Sequence, residues 1–113
     1  MTDEQARKVD LIATRVMGWE RFGSHWGRRE GMNTIRDHIA YADWNPFLHD
    51  ADAMQVLRRM AELGYTVDLQ TTTRLSICEV YSFAGIGGDL LRTKGTDPRT
   101  AIAEAAYRLG EGL

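Results

Sequence analysis

The spacing of the apolar residues constrains the fold of this chain more than any other feature, because it changes from a helical period to an alternating one and back. Three segments carry apolar residues three and four positions apart, which places them on one face of a helix. They predict a first helix over residues 3–17, a second over 50–63, and a third that begins at Asp97-Pro98 and ends at Gly110. An N-cap residue followed by proline is a typical helix start, and glycine is a typical end.

Between the second and third helices the apolar residues alternate, as they do in strands that are covered on one face. Residues 65–69 and 75–83 predict two strands, residues 84–88 a turn, and residues 89–93 a returning strand. Connections this short join antiparallel strands. The sequence therefore predicts an α+β fold, with helices packed on a small antiparallel sheet of three to four strands, and its 113 residues fit one domain, residues 1–113.

The charge balance and the cysteine content exclude several classes of protein. The chain has 14 basic and 16 acidic residues and a net charge of −2, so it lacks the positive excess typical of a protein that binds duplex nucleic acid. No apolar run is long enough to cross a membrane, and the polar N-terminus does not resemble a signal peptide, so we expect a cytoplasmic protein. Cys78 stands alone, which excludes an internal disulfide and a zinc site built on cysteines.

The basic residues are almost all arginine, since only Lys8 and Lys94 are lysine. Arginine presents a planar fork that binds phosphate or carboxylate with two hydrogen bonds and also stacks on aromatic rings. A GC-rich genome produces the same bias without any functional cause. Both interpretations stay open at the level of the sequence.

The segment 18–49 contains all three tryptophans and all three histidines, but glycines interrupt it and it predicts no long helix or strand, only loop or short strand. Aromatic rings can stack on a nucleobase while arginines bind phosphate. The candidates for ligand binding are Trp19, Trp26, Arg28, Arg29, Arg36, Trp44 and Asn45. Trp19 and Trp44 flank predicted helices and fit equally a place in the core, whereas Trp26 lies among glycines and arginines and we expect it to be exposed.

No motif predicts catalysis, a cofactor or a metal site. The run Gly85-Ile86-Gly87-Gly88 lacks the spacing of dinucleotide-binding and phosphate-binding loops and predicts a hairpin turn. His25, His38 and His49 do not have the spacing of a metal site. Cys78 lies in an apolar predicted strand, where a buried thiol is commoner than a nucleophile. We therefore expect a protein that is not an enzyme and has no cofactor.

Three short runs resemble the phage ABA-sandwich domain family, with a fainter similarity to phage NinX-type proteins. They are Val16-Met17-Gly18-Trp19-Glu20, Trp44-Asn45-Pro46 followed by Asp50-Ala51-Asp52-Ala53, and the terminal run 97–106. The resemblance implies a small bacteriophage accessory protein whose sheet lies between helical layers, an α/β/α-type sandwich. Phe47 departs from the family, which commonly has Ser or Cys after Trp-Asn-Pro, and the segment between Trp26 and Trp44 looks specific to this chain.

By analogy with the role of other small phage accessory proteins, we expect a non-enzymatic sponge. Such a protein binds and sequesters a nucleotide-type immune signal, a cyclic oligonucleotide or an ADP-ribose derivative. A single chain of this size is too small to enclose such a ligand well. We therefore expect a homo-oligomer, a dimer or tetramer, with pockets between subunits. The alternative is a protein-interaction module that inhibits a host protein. A nucleotide phosphodiesterase is a third possibility, and it requires His25, His38 and His49 to converge.

Overall fold

The computed structural model describes residues 2–29, 35–82 and 91–112, and for residues 29, 35–38 and 82 it describes the backbone only. Its helices are α1 Asp3–Leu11, a π-helical turn Ile12–Val16, α2 Asp50–Glu62 and α3 Pro98–Glu111. Its strands are β1 Glu20–Phe22, β2 His25–Arg29, β3 Ile35–Ala40, β4 Tyr65–Thr71, β5 Ser76–Ser82 and β6 Leu91–Gly95.

The three predicted helices are confirmed, and two of them begin at side-chain caps. The Thr2 hydroxyl accepts a hydrogen bond from the Gln5 backbone N–H at 3.1 Å, and the Asp97 carboxylate accepts one from the Thr100 N–H at 2.9 Å. These caps satisfy backbone donors that the first helical turn leaves unpaired. Hydrogen bonds from Thr100 also lower the pKa of Asp97 below its ordinary value.

The first helix ends in the π turn rather than in regular α-helix. The Met17 N–H donates to the Ile12 carbonyl at 3.0 Å, one residue further back than in an α-helix, and the Trp19 N–H reaches the Ala13 carbonyl at 3.0 Å. Helix α3 packs closely on the end of α1 and on this turn, and Gly110 lies at the contact. A Cβ at Gly110 would lie 2.5 Å from the Leu11 side chain and 3.4 Å from that of Val16. The absence of a side chain at Gly110 thus allows α1 and α3 to come into contact beside the wider turn.

Strands β4, β5 and β6 form an antiparallel sheet with β5 in the centre. Cys78 pairs with Thr93 and Val80 with Leu91 on the face that α2 and α3 cover, whereas Asp68 and its neighbours on the alternate positions of β4 are exposed. Burial raises the pKa of the Cys78 thiol to about 11, as expected for an inert core cysteine. The predicted strands and the packing of helices on the sheet are confirmed, and the predicted turn at 84–88 lies outside the described residues.

A further antiparallel sheet, of strands β1, β2 and β3, lies within the segment that predicted only loop or short strand. We call it the first sheet, because it comes first in the chain, and the sheet of β4, β5 and β6 the second sheet. A two-residue turn joins Phe22 to His25, and Gly23 has a φ of +62° there, a conformation that hairpin turns need and that glycine adopts without strain. The described part of the chain thus has two three-stranded sheets where the sequence predicted one. The α+β class itself is confirmed.

The core lies between the second sheet and the helices and extends under the first sheet. It includes the π-turn residues, the inward residues of β5 and one face of each long helix, together with all three tryptophans. Within the described residues, none of the helices is long and apolar enough to span a bilayer.

Candidate functional site

The three tryptophans are core residues. Trp19, Trp26 and Trp44 are 3%, 2% and 1% exposed, so the expectation that Trp26 is exposed was wrong. Trp19 and Trp44 pack edge to face with ring centroids 4.9 Å apart, and the Trp44 indole N–H donates to the Gln55 amide oxygen at 3.0 Å. With their faces covered in this way, the rings are not free to stack on a base.

Asn45 is also buried and joins three parts of the chain. Its side-chain oxygen accepts a hydrogen bond from the Phe47 N–H at 2.9 Å, its side-chain nitrogen donates to Gln5 at 3.4 Å, and its backbone N–H donates to Asp52 at 2.9 Å. These bonds fix the break before α2 against the start of α1. The conspicuous Trp-Asn-Pro run is therefore explained by packing.

Of the three predicted arginines, the structure describes the side chain of Arg28. Arg28 donates to the Met17 carbonyl at 3.4 Å and so braces the end of the π turn. The side chains of Arg29 and Arg36 lie outside the described residues, although the backbone of Arg36 is in register with Arg28. Among the predicted residues whose side chains the structure describes, Trp26 alone borders a sizeable groove that is rich in arginine.

That groove, which we call the arginine groove, has a volume of about 450 Å³ and lies between α1 with its π turn and strands β1 and β2. Its lining residues are Arg7, Asp10, Leu11, Thr14, Arg15, Arg21 and Trp26. The helical members recur at three- and four-residue spacing, so they form one stripe along the helix. Three arginines against one aspartate give the lining a formal charge of +2, in a chain whose net charge is −2.

The arginines of the groove have no carboxylate partner among the described residues. Arg15 donates to the Gly110 carbonyl at 3.3 Å and Arg21 to the Gly23 carbonyl at 3.1 Å. Arg7 is exposed and has no hydrogen bond or ion pair within the described part of the chain. Since each guanidinium has five N–H donors, most of this donor capacity is left for a ligand.

Asp10 is the one acidic residue among the described lining residues of the groove, and the hydroxyl of Tyr41 holds its carboxylate. The Tyr41 hydroxyl donates to the Asp10 carboxylate at 2.8 Å, and the Arg21 guanidinium lies 3.9 Å from the centre of the Tyr41 ring. The Trp26 ring lies 5.4 Å from Tyr41, centroid to centroid, and its buried N–H has no hydrogen-bond partner among the described residues. An unsatisfied buried donor at a ligand-sized groove calls for an explanation.

The sequence contained a signal for this groove that the search for aromatic residues missed. Positions 7, 10, 14 and 15 carry charged or polar side chains on a face of α1 that is distinct from the buried face. A stripe of this kind is usually read as a solvated helix surface. The groove forms because Arg21 of β1 and Trp26 of β2 lie opposite this helical stripe.

No match to this chain was found among protein-family models, curated proteins or solved structures. Within the described ranges, no three histidine, cysteine, aspartate or glutamate side chains are grouped so that they could hold a metal ion. The arginine groove is therefore assessed on its own chemistry.

Proposed function

We propose that this chain is a non-enzymatic protein that binds and sequesters a nucleotide-type ligand through its phosphate in the arginine groove. The observation that carries the proposal is the set of three arginines without a carboxylate partner among the described residues, which line one groove with Trp26 at its side. Charge-assisted hydrogen bonds from arginine to phosphate are short, directional and about twice as strong as neutral ones. A phosphate oxygen is a suitable acceptor for the groove's free donors.

The biological role that we propose for such binding is that of a phage sponge. Cyclic oligonucleotides and ADP-ribose derivatives, the signals of bacterial immunity, all carry phosphodiester or diphosphate groups, and a phage protein that retains one of them in the host cytoplasm acts as a sponge. The volume of about 450 Å³ suits one nucleotide unit better than a whole cyclic oligonucleotide. We therefore propose that a second copy of the chain covers the remainder of such a ligand.

The test is a ligand panel on the purified chain. Thermal unfolding is measured with cyclic dinucleotides, cyclic trinucleotides and ADP-ribose derivatives, because a ligand at a hundred times its dissociation constant adds about 2.7 kcal/mol of stability. A rise in melting temperature with one ligand, which chromatography then recovers intact, is the expected result. Recovery of a degraded ligand contradicts the non-enzymatic part of the proposal, and no shift with any phosphate-bearing ligand contradicts all of it.

A matched pair of variants locates the site. Arg7→Gln removes one unpaired charge from the groove, and we expect it to weaken binding about tenfold, as the loss of a hydrogen bond between charged groups does. Arg58→Gln removes an exposed arginine from α2, outside the groove, and we expect it to leave the affinity unchanged. Equal losses in both variants would mean that the effect is one of net charge only.

A second candidate function, inhibition of a host protein by direct contact, is favoured by one other observation. Leu48 and Met54 are 52% and 45% exposed, and they line two grooves that share Arg99. Methionine and arginine are enriched at protein–protein interfaces, and the exposed Leu48 and Met54 lie beside Arg99. The double variant Leu48→Ser, Met54→Ser separates the candidates, because it abolishes inhibition by contact and leaves ligand binding intact.

A further inference from the structure

We infer that Asp10 is a specificity-determining residue of the arginine groove and accepts a hydrogen bond from a sugar hydroxyl of the bound ligand. The inference rests on the proposed function and adds to it the chemical class of the ligand. The groove would then select a ribose phosphate ester over phosphate alone or over an ester that lacks the hydroxyls.

The first support is the unused capacity of the Asp10 carboxylate. It accepts one hydrogen bond, from the Tyr41 hydroxyl at 2.8 Å, and within the described ranges it has no ion pair with Arg7, Arg15 or Arg21. An ionised carboxylate has about four acceptor positions. Asp10 lines the groove together with three arginines but forms no ion pair with them among the described residues. Its carboxylate therefore does not serve as their ion-pair partner.

The second support is that the carboxylate is held in place. The hydroxyl that bonds it belongs to Tyr41, whose ring centre lies 3.9 Å from the Arg21 guanidinium carbon and 5.4 Å from the Trp26 ring centre. The hydrogen bond to Asp10 is also the main cause that raises the pKa of Tyr41, so the hydroxyl stays a donor at neutral pH. The fixed contact orients one carboxylate oxygen and leaves the other for a ligand.

The third support is the position of Asp10 along α1. It lies one helical turn after Arg7 and one before Thr14, so acceptor and cation are neighbours on the same face. The Thr14 hydroxyl donates to the Asp10 backbone carbonyl at 2.8 Å, and the Asp10 carboxylate is the charged acceptor among the described lining residues. A ligand with a hydrogen-bond donor next to its phosphate matches this arrangement, as a ribose phosphate does.

The carboxylate also explains selection against simpler anions. A phosphate bound by the arginines is repelled by Asp10 unless the ligand places a donor between them. A site with a polar group set to meet a substrate hydroxyl discriminates against an analogue that lacks it. Because the groove is open to solvent, we expect a discrimination of about tenfold, the low end for a hydrogen bond to a charged group.

The experiment uses four defined probes and the whole chain. Binding of adenosine monophosphate, dideoxyadenosine monophosphate, inosine monophosphate and inorganic phosphate is followed by NMR titration. The dideoxy probe lacks the sugar hydroxyls but keeps the base amine, and the inosine probe lacks that amine but keeps the hydroxyls. We expect adenosine and inosine monophosphates to bind about equally and about tenfold more tightly than the other two probes.

Variants then assign the discrimination to Asp10. Asp10→Asn keeps the shape and the contact with Tyr41, and we expect the preference for hydroxyl-bearing probes to shrink while inorganic phosphate binds more tightly. Tyr41→Phe keeps the ring and removes the hydroxyl, and as the change of a positioning residue it reduces the preference in part. Asp43→Asn, at an exposed carboxylate in the turn after β3, is the control that leaves the preference unchanged.

Each contrary result has its own meaning. If all four probes bind equally and depend on Arg7, the inference about Asp10 is overturned and the proposed function stands. If inosine monophosphate alone is weak, the donor is the base amine and the hydroxyl assignment is overturned. If no probe binds, the phosphate site fails, and the inference about Asp10 fails with it.

Discussion

Two grooves of the same volume, about 450 Å³ each, lie on different faces of helix α1 and differ in how their charges are paired. In the first, between the starts of α1 and α3, Lys8 bonds Glu104 at 2.8 Å, and Arg99 contacts Asp50 at 3.3 Å and Asp97 at 3.7 Å. We call it the paired groove. In the arginine groove the corresponding cations have only backbone carbonyls or an aromatic ring as partners within the described residues.

The two grooves have the same volume, whereas the hydrogen-bond capacity that their cations leave unused differs. The cations of the paired groove already have carboxylate partners, and a ligand must compete with those carboxylates. The cations of the arginine groove keep their donors for a ligand, and the repulsion between them is relieved when an anion binds.

The largest effects concern the apolar residues at the two grooves, Trp26 at the arginine groove and Phe47 at the paired groove. We expect Trp26→Ala and Phe47→Ala each to cost about 3–5 kcal/mol of unfolding free energy, since both side chains are buried. Trp26→Phe should cost less than Trp44→Phe, because only Trp44 loses an indole hydrogen bond, to Gln55 at 3.0 Å. Urea unfolding followed by circular dichroism measures the unfolding free energy of all four variants. Equal losses of unfolding free energy in Trp26→Phe and Trp44→Phe would contradict the unpaired state of the Trp26 indole N–H.

The next effect concerns ligand affinity. The double variant Arg7→Gln, Arg15→Gln removes two of the groove's three cations, and we expect the affinity for the ligand found in the panel to fall about a hundredfold. Calorimetric titration provides the measurement. The matched control Arg58→Gln, Arg74→Gln changes the net charge equally at two other exposed positions and should leave the affinity unchanged; a similar fall there would remove the distinction between the grooves.

A smaller effect is expected where the charges are paired. Glu104→Gln removes the partner of Lys8, whose pKa the hydrogen bond to Glu104 raises, and we expect a loss of about 1 kcal/mol of stability with no change in ligand affinity. Glu62→Gln is the control, because the Arg59–Glu62 contact is 3.4 Å long and Glu62 is 64% exposed, so its loss should have almost no effect. Thermal unfolding measures the stability of both variants, and a tighter ligand affinity in Glu104→Gln would place the binding site in the paired groove, because Lys8 would then be free for the ligand.

The smallest effect depends on pH. Hydrogen bonds from Thr100 hold the pKa of Asp97 below its ordinary value of 3.8, so the cap stabilises the fold above that pH and loses its contribution as the pH falls through the lowered pKa. We expect Asp97→Ala to cost about 1 kcal/mol near neutral pH. The difference from the wild type should shrink in acid, and a difference that grows as the pH falls would contradict the sign of the shift.

The sequence predicted the helices and the second sheet because their periodicity and their end signals agree. Asp97-Pro98 begins α3 as predicted, and strand β4 alternates as its residues suggested. The first sheet was missed because its strands are short, interrupted by glycine, and do not alternate clearly. Strand pairing between β2 and β3 is a tertiary property, which local patterns indicate poorly.

The candidate site was predicted in its residue types but not in its members. Aromatic residues and arginines do meet at one groove, yet of the predicted residues with described side chains Trp26 alone lines it. Trp19 and Trp44 fill the core, as their positions beside helices also allowed. Arg7 and Arg15 belong to a polar stripe that the sequence shows, but such a stripe is usual on a solvated helix surface, and the groove becomes apparent only from the position of Arg21. The resemblance to phage proteins, the oligomer and the identity of the ligand stay predictions.

The most direct test of the account is an NMR titration that follows the side-chain N–H signals of the individual arginines as the tightest ligand of the panel is added. The account predicts that the signals of Arg7, Arg15 and Arg21 move together and saturate with one affinity, while that of Arg99 in the paired groove stays in place. Movement of Arg99 without the other three would contradict it.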